Sequence, residues 1–246
     1  MNTTSSRWIA WILLVVALAG MALASAVGLA MSRSPLQGVG AGYRYYALGI
    51  RQSGGTTWAL SAKNLTVLRA LHGLLPPRFA ASGSMLFGCG FLDGRDFDPV
   101  IPQSRLCDEF IGKDYFSTLH VSLLAGRTQS RHGVYVSAAV VHALGWPIAT
   151  AVGRTLRFKS LTLIVAGVVP ATFHGLAGRR EPTNFWFPSE LYGHVITAKA
   201  TGLALGFAAT LVPSDVRVVL SAPQTASPRF VREVIDRAQA ELIRRG

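Results

Sequence analysis

The sequence predicts an α+β protein with one apolar helix at its N-terminus, and three observations support this. No charged residue lies between Trp8 and Met31. The remainder alternates short apolar runs typical of strands with stripes of helical spacing. Half of all residues are apolar and only 15% are charged, which excludes an intrinsically disordered chain. We therefore expect a mixed α/β domain that follows a single spanning segment.

The apolar run Trp8–Met31 exceeds the roughly 20 residues that a helix needs to cross a bilayer. Arg7 precedes the run, and Trp8 and Trp11 lie where an aromatic belt would form. Positively charged flanks favour the cytoplasmic side, so we expect the N-terminus inside and the rest of the chain outside. The protein is thus predicted to be a single-pass protein of a bacterial inner membrane, with its bulk in the periplasm.

A signal peptide is the alternative interpretation of the same run. Ala22-Leu23-Ala24 matches the small-residue pattern of a cleavage site. Both interpretations export the remaining residues. We favour the uncleaved anchor, because the apolar run continues past that site to Met31.

Three segments follow from this division of the chain. Residues 1–33 form a cytoplasmic tail and transmembrane anchor. Residues 34–42, rich in glycine, are predicted to be a flexible linker. Residues 43–246 form the periplasmic domain.

The periodicity within this domain predicts several short strands and three helices. Tyr115–Leu124 is expected to hold a turn and a buried apolar cluster, and Asp93–Pro102 to be a solvated acidic loop. Ser61, Ser137 and Ser227 precede helical stripes as capping residues, the last with Val231, Val234, Ile235, Ala238 and Leu242 on its buried face. Strands are predicted at Tyr43–Arg51, Phe79–Phe91, Leu106–Phe110, Val134–Val136 and Val216–Leu220, with a hairpin of Thr155–Phe158 and a central Leu161–Val169.

The motifs that would indicate catalysis or cofactor binding are not found in the sequence. It contains no G-x-x-x-x-G-K-[ST], no G-x-S-x-G and no H-E-x-x-H. Its six histidines lack close metal-ligand spacing. Asp93, Asp96 and Asp98 lack the glutamate that would complete a calcium loop. We therefore expect no catalytic residue, no cofactor and no metal, and we interpret the protein as not an enzyme.

The net charge of +12 does not point to nucleic acid. The arginines are scattered, and no basic stripe interleaved with aromatic residues accompanies them. Attraction to anionic lipid headgroups explains the same charge for a domain held beside a bilayer.

Cys89 and Cys107 are the only two cysteines. An oxidising compartment would allow a disulfide that brackets the acidic loop. The sequence leaves open whether they form this disulfide or remain two buried thiols, because the distance between their Cβ atoms cannot be read from spacing.

A family resemblance is carried by residues 114–127, DYFSTLHVSLLAGR. This segment resembles part of the periplasmic core domain of MacB-like ABC transporter permeases of the MacB/FtsX type. Further pieces resemble that family in the same order, namely Val134–Ser137, Val152–Leu156, Val165–Pro170 and Phe185–Pro188. We assign structural rather than catalytic roles to the motif residues Tyr115, Phe116, Gly126, Arg127, Gly153, Gly167, Pro170 and Pro188.

The resemblance implies a domain of two subdomains, one porter-like and one a smaller insert, that moves when ATP drives the membrane part. It implies as partners an ABC ATPase and multi-span permease subunits, with a periplasmic adaptor as a further candidate. The family continues into three further spanning helices, whereas this sequence ends at Gly246. We therefore expect a periplasmic component of, or derived from, a MacB-like exporter that acts through protein contacts. One alternative is a secreted binding module with no transporter partner. Another is a hydrolase whose catalytic residues are far apart in sequence and meet only in the fold.

Overall fold

One mixed sheet organises the described part of the protein. The computed structural model describes residues 39–48, 73–129, 133–176, 182–200 and 215–245, all within the unit Leu36–Gly246. The predicted anchor at Trp8–Met31 and the predicted helix after Ser61 lie outside these ranges. None of the helices in the described ranges is both long enough and apolar enough to cross a membrane.

Ten strands can be numbered within these ranges. They are β1 Tyr43–Leu48, β2 Ala80–Leu92, β3 Phe97–Asp98, β4 Leu106–Ile111, β5 Ala125–Gly126, β6 Gly133–Ser137, β7 Thr155–Phe158, β8 Leu161–Val169, β9 Phe185–Pro188 and β10 Asp215–Pro223.

The order of the strands across the sheet is β1-β10-β2-β4-β9-β6-β8-β7-β3, and β5 pairs with β8. The pairs β4–β9 and β6–β8 are parallel, and the remaining pairs are antiparallel. Strands from the two ends of the chain are therefore neighbours, since β10 lies between β1 and β2.

Five α-helices accompany the sheet in the described ranges. Short 3-10 turns also occur at Gly94–Asp96 and Ser189–Leu191. The helices are α1 Tyr115–Thr118, α2 Ala138–Ala143, α3 Ile148–Ala151, α4 Tyr192–Ala200 and α5 Pro228–Arg245.

The sheet carries an apolar core on each of its faces. The larger core includes Phe110, Phe185 and Phe187 from the central strands, together with Val234 and Ala238 of α5. The smaller core packs residues of α1 and the following loop against the other face, with Tyr115, Phe116, Leu119, Phe173 and Trp186 among its members.

The mixed α+β class is confirmed, as are most of the predicted elements. The predicted hairpin forms with Lys159 in its turn, and Ser137 caps α2 by accepting a hydrogen bond from the amide of Val140 at 3.3 Å. The described strands form one continuous sheet, and the division into two subdomains stays a prediction.

The predicted central strand β8 has neighbours on both edges, but it is not buried throughout. Its first half alternates, and the Ile164 side chain is 51% exposed. The smaller core does not extend to this part of the sheet, so one face of β7 and β8 contacts solvent.

The segment Asp93–Pro102 is only in part the solvated loop that the sequence predicts, since five of its ten residues are exposed. It forms a 3-10 turn and then β3, which pairs with β7. Phe97 and Ile101 are buried in the larger core, and the Phe97 ring stacks on that of Phe185 at 5.0 Å between centroids. Two apolar side chains therefore anchor this segment to the larger core.

The last residues of the predicted linker make hydrogen bonds to the domain. Gly40 donates its amide to the carbonyl of Leu119 at 3.3 Å, and Gly42 accepts from the amide of Gln224 at 2.9 Å. Val39–Gly42 is thus bonded to the domain, whereas the earlier part of the predicted linker lies outside the described residues.

Loss of the cap on α5 gives a first prediction. The hydroxyl of Ser227 accepts a hydrogen bond from the amide of Phe230 at 3.3 Å. Ser227→Ala removes this acceptor and should lower the free energy of unfolding by about 1 kcal/mol. Urea unfolding of the full chain in mild detergent measures the change. Ser227→Asp keeps an acceptor and should retain parental stability, so equal losses in both variants would contradict the capping role.

Candidate functional site

A buried carboxylate lies at the centre of the sheet, on β4. All six residues of this strand, LCDEFI, are buried, because β4 runs between β2 and β9 with an apolar core on each face. Glu109 has no exposed surface. A carboxylate in this position needs hydrogen-bond donors, since burying a charge without partners is costly.

Two hydroxyl groups donate to Glu109. Tyr115 donates to Oε2 at 2.6 Å, and Thr183 donates to Oε1 at 3.2 Å. The Tyr115 oxygen also accepts the amide of Leu176 at 3.1 Å, and the Thr183 hydroxyl lies 3.0 Å from the carbonyl of His174. We call Glu109, Tyr115, Thr183 and the backbone of His174–Leu176 the Glu109 cluster. Its hydrogen bonds join β4 and α1 to the segments around residues 174–176 and 183.

The Tyr115 hydroxyl stays protonated, as a donor to Glu109 must. Burial raises the pKa of its hydroxyl well above the ordinary value, and the neighbouring Glu109 raises it further. The hydroxyl therefore keeps its proton and remains a donor to the carboxylate.

Gly175 allows the backbone to approach the Glu109 cluster. Its φ is +79°, and a Cβ at this position would collide with Oε1 of Glu109. A side chain is therefore excluded for two reasons, the left-handed backbone and the close carboxylate.

The disulfide is the second feature of this part of the sheet. Cys89 and Cys107 are bonded to each other and are register partners on β2 and β4. The amide of Cys107 donates to Oδ1 of Asn184 at 2.9 Å. The covalent cross-link thus lies two residues from Glu109 on the same strand.

A third feature is the junction through which the chain enters the domain. Tyr45 donates its hydroxyl to the carbonyl of Leu119 at 2.9 Å, and Tyr43 stacks on the His120 ring at 3.5 Å between centroids. His120 has a φ of +54°, and a Cβ on Gly40 would collide with the His120 side chain. We refer to Val39–Tyr45 together with Leu119 and His120 as the junction.

The junction gives a pH prediction. Burial lowers the pKa of His120 below the usual 6.5, so the folded protein keeps the ring neutral where the unfolded chain binds a proton. The free energy of unfolding should therefore fall as the pH drops through 6.5. His120→Asn tolerates the positive φ and removes the titrating ring.

Urea unfolding of parent and variant at about pH 7.5 and about pH 5 tests this prediction. The parent should lose more stability than His120→Asn between these conditions. Equal losses would show that the ring does not titrate with the expected shift.

The carboxylates of the acidic segment face cations rather than one another. Asp96 lies 3.4 Å from Nζ of Lys159 and 2.9 Å from Nζ of Lys199. The Arg95 guanidinium donates to the Asp93 carboxylate at 2.7 Å, and this hydrogen bond lowers the pKa of the Asp93 carboxyl to about 2. Within the described ranges, no group of three His, Cys, Asp or Glu side chains is placed to hold a metal ion.

The motif residues of the sequence resemblance occupy packing and turn positions. Gly126 has a φ of +92° and pairs with Gly167, while Gly153 has a φ of +85° before β7. Arg127 is exposed after β5. Pro170 follows the last residue of β8 and Pro188 ends β9, and Tyr115 and Phe116 lie in the smaller core.

Sequence reasoning missed Glu109 and Thr183. One signal was present, since two adjacent acidic residues stand inside an otherwise apolar strand run. A buried acid in such a run requires donors from elsewhere, but spacing alone does not name them.

Comparisons with known proteins give similarity in structure only. No family model matches the chain, and no curated protein matches its sequence. The periplasmic region of MacB from Actinobacillus actinomycetemcomitans is similar at a TM-score of 0.47 and 13% identity, over 86% of this chain and 89% of that one.

Two further solved structures are similar to the chain. A domain of a protein described as a permease from Porphyromonas gingivalis has a TM-score of 0.44 and 13% identity, over 80% of this chain and 78% of that one. The extracellular domain of the noncanonic ABC-type transporter YknZ from Gram-positive bacteria has a TM-score of 0.42 and 12% identity, over 78% of this chain and 88% of that one.

Proposed function

We propose that the protein is a membrane-anchored periplasmic component of, or derived from, a MacB-like ABC exporter. It acts through protein contacts and conformational coupling rather than catalysis. An ABC ATPase and a multi-span permease are its proposed partners. The N-terminal segment anchors it in the inner membrane, and the rest of the chain lies in the periplasm.

One observation carries this proposal, the meeting in space of sequence pieces that resemble the family. Phe116 contacts the rings of Tyr135 and Trp186 at 4.8 and 6.0 Å between centroids, and Gly126 lies opposite Gly167. These residues come from four separate pieces of the resemblance. Because these pieces pack against one another, we infer that their resemblance to the MacB-like family reflects the same fold.

The disulfide supports the proposed location. Disulfides persist in oxidising compartments such as the periplasm and are rare in the cytosol. The bond between Cys89 and Cys107 is therefore what an exported domain would carry.

The Glu109 cluster supports a mechanical rather than chemical role. Its carboxylate is buried and accepts from two hydroxyl groups, so it cross-links segments that a substrate could not reach without local opening. We infer that it stiffens the domain, as a part that transmits motion would require.

Affinity purification from native membranes tests the proposal. The full chain, tagged after Gly246, would be extracted in mild detergent, and mass spectrometry would identify its partners and its own N-terminus. We expect an intact N-terminus together with an ATPase and a multi-span permease. An unrelated single-span protein with the same tag serves as the control.

A cleaved chain recovered without partners, outside the membrane fraction, would overturn the proposal and favour the secreted binding module. Coupling is tested on the same membranes by hydrogen exchange with and without ATP and vanadate. Exchange in the described domain that does not respond to trapping would argue against conformational coupling.

A further inference from the structure

Three segments that lie far apart in sequence meet beside the junction. Tyr43 at the start of β1 pairs with Pro223 at the end of β10, and Ala80 at the start of β2 pairs with Ser221. The amide of Gln224 donates to the carbonyl of Gly42 at 2.9 Å. Helix α5 begins a few residues later, at Pro228.

Apolar side chains are exposed at this place. Leu74 is 53% exposed and Phe230 is 38% exposed. Phe79 contacts Phe230 edge to face at 5.7 Å between centroids and packs its other side on the larger core. The aromatic pair thus belongs partly to the core and partly to the surface.

Four exposed arginines lie in the same segments of the chain as these apolar residues. Arg44, Arg78, Arg229 and Arg232 are all exposed, and the Arg229 side chain is 92% exposed. The stretches 39–48, 73–80 and 221–233 contain these four arginines and one acid, Glu233, which pairs with Arg229 at 3.3 Å. The local charge is therefore strongly positive.

The turn that holds Arg78 adds an independent observation. The amide of Phe79 donates to the carbonyl of Pro76 at 3.0 Å, which closes a four-residue turn with Arg78 in third position. Arg78 has a φ of +68°, a conformation that glycine adopts without steric cost and arginine does not. An exposed arginine in a strained position is the kind of outlier from which a functional role can be inferred.

We propose that these residues form a docking surface for the headgroup region of an anionic membrane. The surface consists of Leu74, Phe79, Phe230, Arg44, Arg78, Arg229 and Arg232. Aromatic and aliphatic side chains enter the interface between headgroups and acyl chains. Guanidinium groups bind lipid phosphates through paired hydrogen bonds.

The position of the surface argues for this occupant. The apolar run of the sequence ends at Met31, and residues 32–42 reach at most roughly 40 Å when fully extended. The surface lies beside Gly42, so it stays within reach of the bilayer. This step rests on the proposed membrane anchor.

A tryptophan placed in the surface would report docking. The full chain carrying Phe230→Trp would be reconstituted into nanodiscs of brominated phosphatidylcholine, with or without brominated phosphatidylglycerol. Quenching is compared with that of the parent, whose own tryptophans set the baseline. Val152→Trp is the matched control, because Val152 is also 38% exposed but precedes β7 near the opposite edge of the sheet.

We expect additional quenching for Phe230→Trp in anionic discs and none for Val152→Trp. Adding Arg78→Gly and Arg229→Gln to Phe230→Trp should lower the ratio of docked to undocked domain about fivefold for each arginine removed. Arg127→Gln, at an exposed site directly after β5, should leave this ratio unchanged. Glycine adopts the positive φ of Arg78 without steric cost, so we expect Arg78→Gly to keep the turn.

Equal quenching of the two probes, or quenching that ignores anionic lipid, would overturn the proposal. The membrane anchor is tested separately by the purification described above. If the chain proves to be released from the membrane, the same variants can be floated with vesicles of the same two compositions. Flotation that requires phosphatidylglycerol and the two arginines would support the surface, and no flotation would overturn it.

Discussion

Replacing Glu109 by alanine is expected to lower the free energy of unfolding by about 3 kcal/mol. The variant leaves a cavity in a fully buried strand. It also removes the acceptor of the Tyr115 hydroxyl, which is buried and cannot turn to solvent. Urea unfolding of the full chain in mild detergent measures the loss.

Two variants serve as controls for this prediction. Glu109→Gln keeps the size of the side chain and one oxygen acceptor, so it should cost about 1 kcal/mol. Glu190→Ala, at an exposed site, should stay within about 0.5 kcal/mol of the parent. If Glu109→Ala unfolds at the parental urea concentration, Glu109 does not hold the segments around it.

Removing the disulfide is expected to have an effect of similar size. Cys89 and Cys107 are 18 residues apart, and closing a loop of this length restricts the unfolded chain by about 3 kcal/mol. Cys89→Ala combined with Cys107→Ala should lower the free energy of unfolding by that amount. The same urea titration detects it.

A reducing agent provides the matched comparison. It should shift the parent to the unfolding midpoint of the double alanine variant and leave the variant unchanged. If the oxidised parent and the variant unfold together, the bond contributes nothing to stability, and the argument that it serves an exported domain loses its support.

Local sequence patterns are sufficient to predict helices and strands whose pattern repeats within a few residues. The sequence predicts the hairpin of β7 and β8 and the buried stripe of α5, because strand alternation and helical spacing show directly in it. Ser137 was predicted as a cap because a hydroxyl residue precedes a helical stripe.

Contacts between distant residues could not be predicted in this way. Glu109 and Thr183 are 74 residues apart, and no local pattern relates them. The hydrogen bonds of Gly40 and Gly42, at the end of the predicted linker, could not be predicted for the same reason, because they depend on Leu119 and Gln224. Glycine there serves close approach to His120 rather than flexibility.

The place of β10 between β1 and β2 limits when the sheet can be completed. In the described ranges, β10 pairs with β1 on one edge and with β2 on the other, so β1 and β2 are not neighbours. In a chain that leaves the ribosome from its N-terminus, β1 would lack its partner strand, and the edge of β2 that faces away from β4 would stay unpaired, until residues 215–223 had been synthesised. We expect β1 to depend on chaperones until β10 is available, and a stop codon before Asp215 should leave β1 without a partner strand.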